Sequence, residues 1–580
     1  MIGCSGWLLY VSNGIISDKD SIQEITMKHT YLWILCIAVL VPRCVAADSP
    51  PNIIVIMTDD QLHDTIAYYG GDVFTPHIDS LATSGMVFNH AYVSSTVCAP
   101  ARYSLLTGRY AGRNTSREFL EHFPPGDFLR IENVTVNMEQ DGMNLQTLLK
   151  EKGYTTGMVG KWHLGPHLNT IHNPSRKNFG FVDYPQHADP RVDKQVNAAM
   201  QNNHAVLSEH LKSYGWDYAA SMYVANLKEL NNDSLNVHNV DWTVKGALDF
   251  LGQVGSQPYF LYFSTTLHHG PDPGAMRDGK LVYSVDADPR YTGEGHIATP
   301  LDVLPSRDDL KARVDQAGKR YKTTYCTWLD DAVGALRQKV RDLGQEENTL
   351  IVYLSDHGIE RYGKSTLYQG GVHIPMIMNW PGRIAPGAQT NALVQNIDLA
   401  ATFYDYANIS LPPAYTLDGK SLRPLLEGDT QAEIHSSLYF EMGFARAVMT
   451  HDYKYMAIRY PPEIQARIDR GEKFNGFYSP SAGIDERNAL DYPYLIKNSH
   501  LGHFSSQQNP HYFELDQLYQ LSVDPAEDNN MLYHSTGVPK SDSQGGLTGV
   551  EKAKCQEMQA LLSDYLRTFT SRPFGEFFDG

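Results

Sequence analysis

Four apolar runs along the chain end in the same way. Asn52 to Met57 (NIIVIM) stops at Thr58, Asp59 and Asp60, and Thr349 to Leu354 (TLIVYL) stops at Ser355, Asp356 and His357. Tyr154 to Val159 runs into Gly160, Lys161, Trp162 and His163, and Tyr259 to Ser264 (YFLYFS) runs toward His268 and His269. Short β-branched and aromatic runs without polar alternation mark strands covered on both faces, as in a parallel sheet. In open α/β sheets ligands bind beyond the carboxyl ends of the strands, so the four polar endings place one site at one edge. Asn144 is suited to cap a helix that runs through Lys152 and ends at Gly153. Tyr321, Tyr325, Leu329, Val333, Leu336, Val340 and Leu343 step at helical spacing and predict a long covering helix before the Thr349 strand. After about residue 430 the pattern changes to short alternating strands, Ser437 to Glu441, Arg446 to Thr450 and Lys454 to Arg459, with a turn at His451 and Asp452. Leu515 to Leu521 offers one more strand and Glu551 to Phe569 a closing helix. The pattern predicts an α/β fold over residues 48–430, a large and mostly parallel sheet flanked by helices. A smaller C-terminal α+β domain over 431–580 carries an antiparallel sheet. Its Pro-, Gly-, Ser- and Asn-rich stretch 461–511 is a long insertion of the kind that forms lids or disordered segments.

Composition narrows the class. With 580 residues, 42% hydrophobic and 20% charged, the chain has the apolar material for a large core, which excludes a disordered or small stapled protein. Its 66 acidic and 48 basic residues give a net charge of −18, a field that repels nucleic acid and anionic lipid. Tyr31 to Val41 is an apolar run of signal-peptide length, preceded by Met27 and Lys28 and followed by the small residues Ala46 and Ala47. We read 27–47 as a signal peptide cleaved after Ala47, and 1–26 as an upstream extension. No later run is long enough to span a bilayer, so no stable membrane insertion is expected. Entry into the secretory pathway, with an extracellular or lysosomal destination, follows. The sequons at Asn114, Asn133, Asn232 and Asn408 are then glycosylation acceptors. Past Ala47 only Cys98, Cys326 and Cys555 remain, which is no disulfide framework. Cys555 shares a helical face with Met558, Leu562, Tyr565 and Phe569 and reads as a buried small hydrophobe. A bridge between Cys326 and Cys555 is a matter of distance, which sequence does not set.

The most informative stretch runs from Cys98 to Arg109 (CAPARYSLLTGR). Pro100 suits the first turn of a helix and Gly108 its end, which puts Cys98 at the positive N-terminus, where an anion binds. A cysteine there is either a low-pKa nucleophile or a structural residue in a tight turn.

These residues resemble the signature of the type I sulfatases, formylglycine-dependent members of the alkaline-phosphatase-like superfamily. The family's Cys-X-Pro-X-Arg and Leu-Thr-Gly-Arg are matched by Cys98, Pro100, Arg102, Leu106, Thr107, Gly108 and Arg109. The likeness extends to Asp59 and Asp60, the Gly160 to Gly165 segment, His269 with Pro271, Ser355 to Gly358, and Lys364. Ala101 departs from the Ser that many members carry. The resemblance implies that a formylglycine-generating enzyme oxidises Cys98 to formylglycine. It also implies one divalent cation on Asp59, Asp60, residue 98, Asp356 and His357. Three carboxylates gathered in a low-dielectric pocket repel one another unless a hard cation joins them, and calcium is the natural choice, with magnesium the alternative.

The same resemblance assigns the chemistry. Arg102, Lys161, His163, His269 and Lys364 become cations and proton carriers around a sulfate monoester. The hydrated formylglycine attacks sulfur and forms a sulfated enzyme, His269 and Lys364 hold the sulfate and help protonate the leaving oxygen, and Lys161 and Arg102 support the diol. His163 takes a proton from the second hydroxyl, so that sulfate is expelled and the aldehyde returns. The expected function is hydrolysis of a sulfated carbohydrate or an aryl sulfate. A phosphonate or phosphodiester hydrolase of the same superfamily and an inactive sulfoglycan-binding protein are the competing readings. The substrate pocket is expected from loops 166–240 and 270–310 and the insertion from Pro461. No segment specifies an oligomeric state.

Overall fold

The first apolar run becomes the middle of the molecule. In a computed structural model, which describes residues 50–133, 135–165, 174–271, 274–277, 280–359, 363–471, 509–533, 540 and 546–578, eight strands form one sheet. They are β1 (Asn52–Thr58), β2 (Met86–Phe88), β3 (Thr155–Lys161), β4 (Tyr218–Tyr223), β5 (Tyr259–Ser264), β6 (Thr349–Ser355), β7 (Met376–Asn379) and β8 (Ala388–Thr390). Their order is β8-β2-β7-β6-β1-β5-β3-β4. β1 pairs in parallel with β6 and with β5, β5 with β3, and β3 with β4. Five adjacent strands therefore end at one edge, while β7 runs antiparallel to both β6 and β2.

Side chains alternate across a strand, and the core divides accordingly. Ile53, Val55 and Met57 of β1 face a cluster with Ala99, Tyr103, Leu149 and Phe403, and Ile54 and Ile56 face another with Val244, Leu251, Trp328 and Leu336. The first face is covered by α2 (Cys98–Thr107), α3 (Leu145–Glu151) and α6 (Asp398–Tyr406). The second is covered by α1 (Pro76–Thr83), α4 (Val240–Gln253) and α5 (Thr324–Asp342). Asn144 caps α3, its side chain accepting the Thr147 N–H. The stripe predicted from Tyr321 to Leu343 is shorter than its pattern. Tyr321 lies in a preceding 3-10 turn with its hydroxyl on Asp286, and both Tyr321 and Leu343 are exposed.

The second sheet is antiparallel, β9 (Leu438–Met442), β10 (Ala445–Met449), β11 (Tyr453–Ile458) and β12 (Asp516–Gln520) in that order. The closing helix α7 (Gly549–Leu566) starts with a capping box between Thr548 and Glu551 and lays Met558, Leu562 and Leu566 on Val448, Tyr455 and Leu518. Pro50 to Gly580 forms one compact unit. The sheet braces the segment before α2: the Glu441 N–H donates to the Ser94 carbonyl at 3.0 Å, and Glu441 Oε1 accepts the Gly112 N–H at 2.8 Å.

Two expectations meet this fold directly. Asn114 and Asn232 are buried, and each Nδ2 donates to a backbone carbonyl, of Asn137 and of Ala188. A glycan on either would compete for the space and the hydrogen bond that the fold uses. Asn133 is half-buried, with Oδ1 accepting the Ala99 N–H, and Asn408 is exposed. No disulfide joins Cys326, on α5, to Cys555, on α7. The segments read as signal peptide and upstream extension, and residues 472–508 of the insertion, lie outside the described residues.

Close approach between β3 and β5 generates a stability prediction. Gly160 has φ +91°, follows a register shift between β3 and β4, and a Cβ there would lie 1.9 Å from the Ser264 carbonyl oxygen. Gly160→Ala is expected to destabilise the protein by roughly 2–6 kcal/mol through backbone strain and overpacking, read as a lower urea midpoint.

Candidate active site

Every ionisable ending of the parallel strands meets at the carboxyl edge. The ends of β1, β5 and β6 are knit together there: the Asp59 N–H donates to Leu267 O at 2.8 Å, and the Asp356 N–H to Thr58 O at 2.9 Å. Buried α2 points its first residue into this edge. Its end is set by Gly108, with φ +70° and its N–H on Ser104 O, and Asn133 Oδ1 takes up the Ala99 N–H at its start.

Cys98 is the hub. Its Sγ lies 3.2 Å from Lys161 Nζ and 3.6 Å from Asp59 Oδ1. Lys161 Nζ also bonds Asp59 Oδ2 at 2.6 Å and Asn226 Oδ1 at 2.7 Å. Lys364 Nζ bonds both oxygens of Asp60 at 2.7 and 2.8 Å. Arg102 is fully buried, with Nη2 2.8 Å from Asp356 Oδ2 and 3.6 Å from Asp59 Oδ1, and with Nη1 on Ser264 Oγ and the Lys161 carbonyl. His357 Nδ1 stands 3.4 Å from Asp60 Oδ1. His163 is buried beside Cys98, and its backbone, like that of Asp60 and Ser365, is held at positive φ. Non-glycine residues adopt that conformation at a cost, and its concentration around one cluster is what a tightly specified site shows.

The electrostatics follow from burial and neighbours. Burial pushes Asp60 up to about 6 although Lys364 opposes it, and burial pushes Asp356 up to about 7 against His357. Burial also raises Asp59, but Lys161 beside it outweighs this and holds its carboxyl below the usual range. His357 is driven down by burial and further up by Asp356 and Asp60, to about 9. Burial lowers His163 to about 4, leaving a neutral imidazole able to accept a proton at neutral pH. Burial pushes the Cys98 thiol up, but Lys161 and Lys364 hold it well below an ordinary thiol.

This donor set fits a metal ion. Ligand atoms of Asp59, Asp60, Cys98 and His357 all lie within 4.8 Å of one another and are buried, and His357 Nε2 has no hydrogen-bond partner. Burial makes Asp60 and Asp356 costly to ionise, and a divalent cation between them would offset that cost. Asp356 stands against the same cluster, with Oδ2 on Arg102 and Oδ1 accepting the Asp60 N–H at 3.0 Å.

All ten residues singled out from the sequence reach this region: Asp59, Asp60, Cys98, Arg102, Lys161, His163, Asp356, His357 and Lys364 in the cluster, and His269 on the wall of the adjoining cavity. His269 is half-buried, with Nδ1 3.1 Å from Gly270 O. Other residues went unnoticed. Asn226 follows β4, whose sequence YAASMY lacks the apolar run that revealed the other strands. Ser264 closes β5 and holds Arg102. His238 is buried, with Nδ1 2.8 Å from Thr266 Oγ1 and Nε2 3.0 Å from the His269 carbonyl, and so fixes the loop that carries His269.

Comparison with known proteins agrees with this geometry. The sulfatase family model matches residues 51–409, and the model of the N-sulphoglucosamine sulphohydrolase C-terminal region matches 356–470. Arylsulfatase A of Bos taurus is 27% identical over 533 residues, 86% of this chain and 87% of its own length. An N-acetylgalactosamine-6-O-sulfatase of Bacteroides thetaiotaomicron is 26% identical, over 77% of this chain and 91% of its own. A solved protein in complex with its substrate D-glucosamine-2-N,6-O-disulfate superposes with a TM-score of 0.54 at 18% identity, over 91% of this chain and 100% of that one.

Cation binding is directly measurable. Calcium at roughly 100-fold over its dissociation constant is expected to stabilise the protein by about 2.7 kcal/mol, seen as a rise in the thermal midpoint that Asp59→Asn and Asp60→Asn abolish. Protons compete for Asp60 and Asp356, pushed up to about 6 and 7. They compete for His357 too, pushed up to about 9, so calcium affinity, followed by calorimetry, should fall progressively as pH drops from about 9 through 6.

Proposed function

The chain belongs to the sulfatase family and is a sulfuric ester hydrolase, and from that premise we propose that it cleaves sulfate from a glycan through a formylglycine at position 98. The observation that carries this reading is Cys98 at the N-terminus of buried α2, with Sγ 3.2 Å from Lys161 Nζ inside the ring of Asp59, Asp60 and His357. Calcium is the ion we assign to that ring, because carboxylate oxygens dominate it and calcium tolerates irregular oxygen coordination. When bound, the ion supplies positive charge against the developing negative charge on the sulfuryl oxygens.

The chain's own groups then divide the work. Hydration of a formylglycine gives two hydroxyls on one carbon, one to attack sulfur and one to lose a proton. Lys161 holds residue 98 and Asp59, and Arg102 holds Asp356 and Asp59, by charge-assisted bonds that leave neither cation free to wander. His163, neutral at physiological pH, is placed to take the second proton. Lys364 keeps its proton, since Asp60 beside it outweighs burial, and it faces the sulfate as a fixed cation. Burial and Lys364 hold the His269 ring neutral, so the negative charge of arriving substrate must raise its proton affinity before it acts as an acid.

The glycan assignment draws on relatives, among them the N-acetylgalactosamine-6-O-sulfatase and the protein holding a disulfated glucosamine. Residues 48–430 are taken as the catalytic region and 431–580 as its C-terminal companion. The apolar run before Ala47 and the need for a maturation enzyme point to the secretory pathway. No helix among the described residues is long and apolar enough to cross a membrane.

Mass spectrometry of the peptide containing Cys98 should show the aldehyde in place of the thiol, and an intact thiol would sink the formylglycine reading. Cys98→Ser should accumulate a sulfated serine after at most one turnover, because a single hydroxyl forms the ester but has no partner hydroxyl to expel it. Steady turnover by that variant would refute the diol. Aryl sulfate should be turned over in preference to aryl phosphate; the reverse would favour the phosphodiester hydrolase reading.

A further inference from the structure

The cavity that opens onto Asp60 and His269 measures about 830 Å³, several times what a sulfate group fills and within the range of pockets that enclose multi-ring ligands. Its charge is unlike that of the protein as a whole. Lys228, Arg320 and Lys322 line it, against one carboxylate outside the metal cluster, Asp64. All three cations are exposed and therefore stand at the mouth, while Asp60 is buried. They come from separate segments, Lys228 from the 3-10 turn Leu227–Leu230 just after Asn226, and Arg320 and Lys322 from the turn that leads into α5. Among the described residues Arg320 has one distant partner, Nε 3.9 Å from Asp72 Oδ2, and Lys228 and Lys322 have no carboxylate within 4.0 Å.

Two polar side chains of the same lining are unsatisfied. His268 is buried with neither ring nitrogen hydrogen-bonded, and Asn236 Oδ1 is buried and unpartnered. Tyr325 packs edge-on against His268, with centroids 4.6 Å apart. Buried polar atoms without partners are rare in native proteins and are explained when a ligand supplies the partner. Neutral imidazole and amide groups beside an aromatic ring suit the hydroxyls and apolar face of a sugar.

Resting on the sulfatase reading above, we propose that Lys228, Arg320 and Lys322 form a second anion subsite, selecting saccharides that carry another sulfate or a carboxylate besides the ester that is cleaved. The ester occupies the metal cluster, the sugar spans His268, Asn236 and Tyr325, and the second anion meets the three cations. Exposed cations act through a screened field, so the preference is moderate and salt-dependent.

The test is calorimetric binding of a monosulfated disaccharide and of its disulfated counterpart to Cys98→Ala protein, which needs no catalysis. In low salt the disulfated sugar should bind about tenfold more tightly. Combined Lys228→Gln, Arg320→Gln and Lys322→Gln should shrink that ratio to about twofold or less, Lys322→Arg should retain it, and high salt should erase it. A ratio that survives the triple substitution, or no binding of either sugar, overturns the subsite. Failure of the sulfatase reading registers elsewhere, as a thiol at residue 98 and no aryl sulfate turnover by the unaltered protein.

Discussion

The structure depends on balancing charge where there is little water to screen it. Asp59, Asp60 and Asp356 are buried beside one another, and each is matched by a buried cation, Lys161, Lys364 and Arg102. An unpaired charge in such surroundings would cost several kcal/mol, so each of the six has a fixed partner. The pairing is incomplete in an instructive way. Burial keeps Asp60 and Asp356 pushed up to about 6 and 7 despite those partners, so their ionised forms are under-stabilised, and a bound divalent cation would relieve that cost where the internal salt bridges do not.

A parallel sheet is what makes that concentration feasible. Strands running the same way deliver their carboxyl ends to one edge, and backbone bonds between Asp59 and Leu267 and between Asp356 and Thr58 lock those ends in register. α2 then brings its N-terminal partial charge and residue 98 to the same point. The second sheet takes part from behind, since Glu441 holds both Ser94, before α2, and Gly112, after it. The C-terminal region thereby supports the geometry of the site through backbone and carboxylate contacts on either side of α2.

The cavity beyond the cluster shows that local and global charge are separate design variables. A chain with net charge −18 presents three cations at one mouth. A protein surface of one sign repels polyanions at long range, whereas a short-range patch of the other sign decides what is retained after encounter.

The order of chemistry along the chain was legible without a structure, because strand-forming runs and their polar endings are local. Asp59, Lys161, His269 and Asp356 each follow such a run, and the Cys98 to Arg109 motif lies within one helix bounded by Pro100 and Gly108. The hairpin of β10 and β11 and the helix α7 were equally visible, since hydrophobic periodicity is a property of neighbours in sequence. Tertiary structure decided the rest. It buried Asn114 and Asn232, sequons indistinguishable by pattern from the exposed Asn408. It drew Asn226 onto Lys161 from the end of a strand too poor in apolar residues to announce itself. It also joined Lys228 to Arg320 and Lys322 across one opening. Burial and proximity between distant segments arise only when the sheet has ordered its strands, and no local spacing encodes that order.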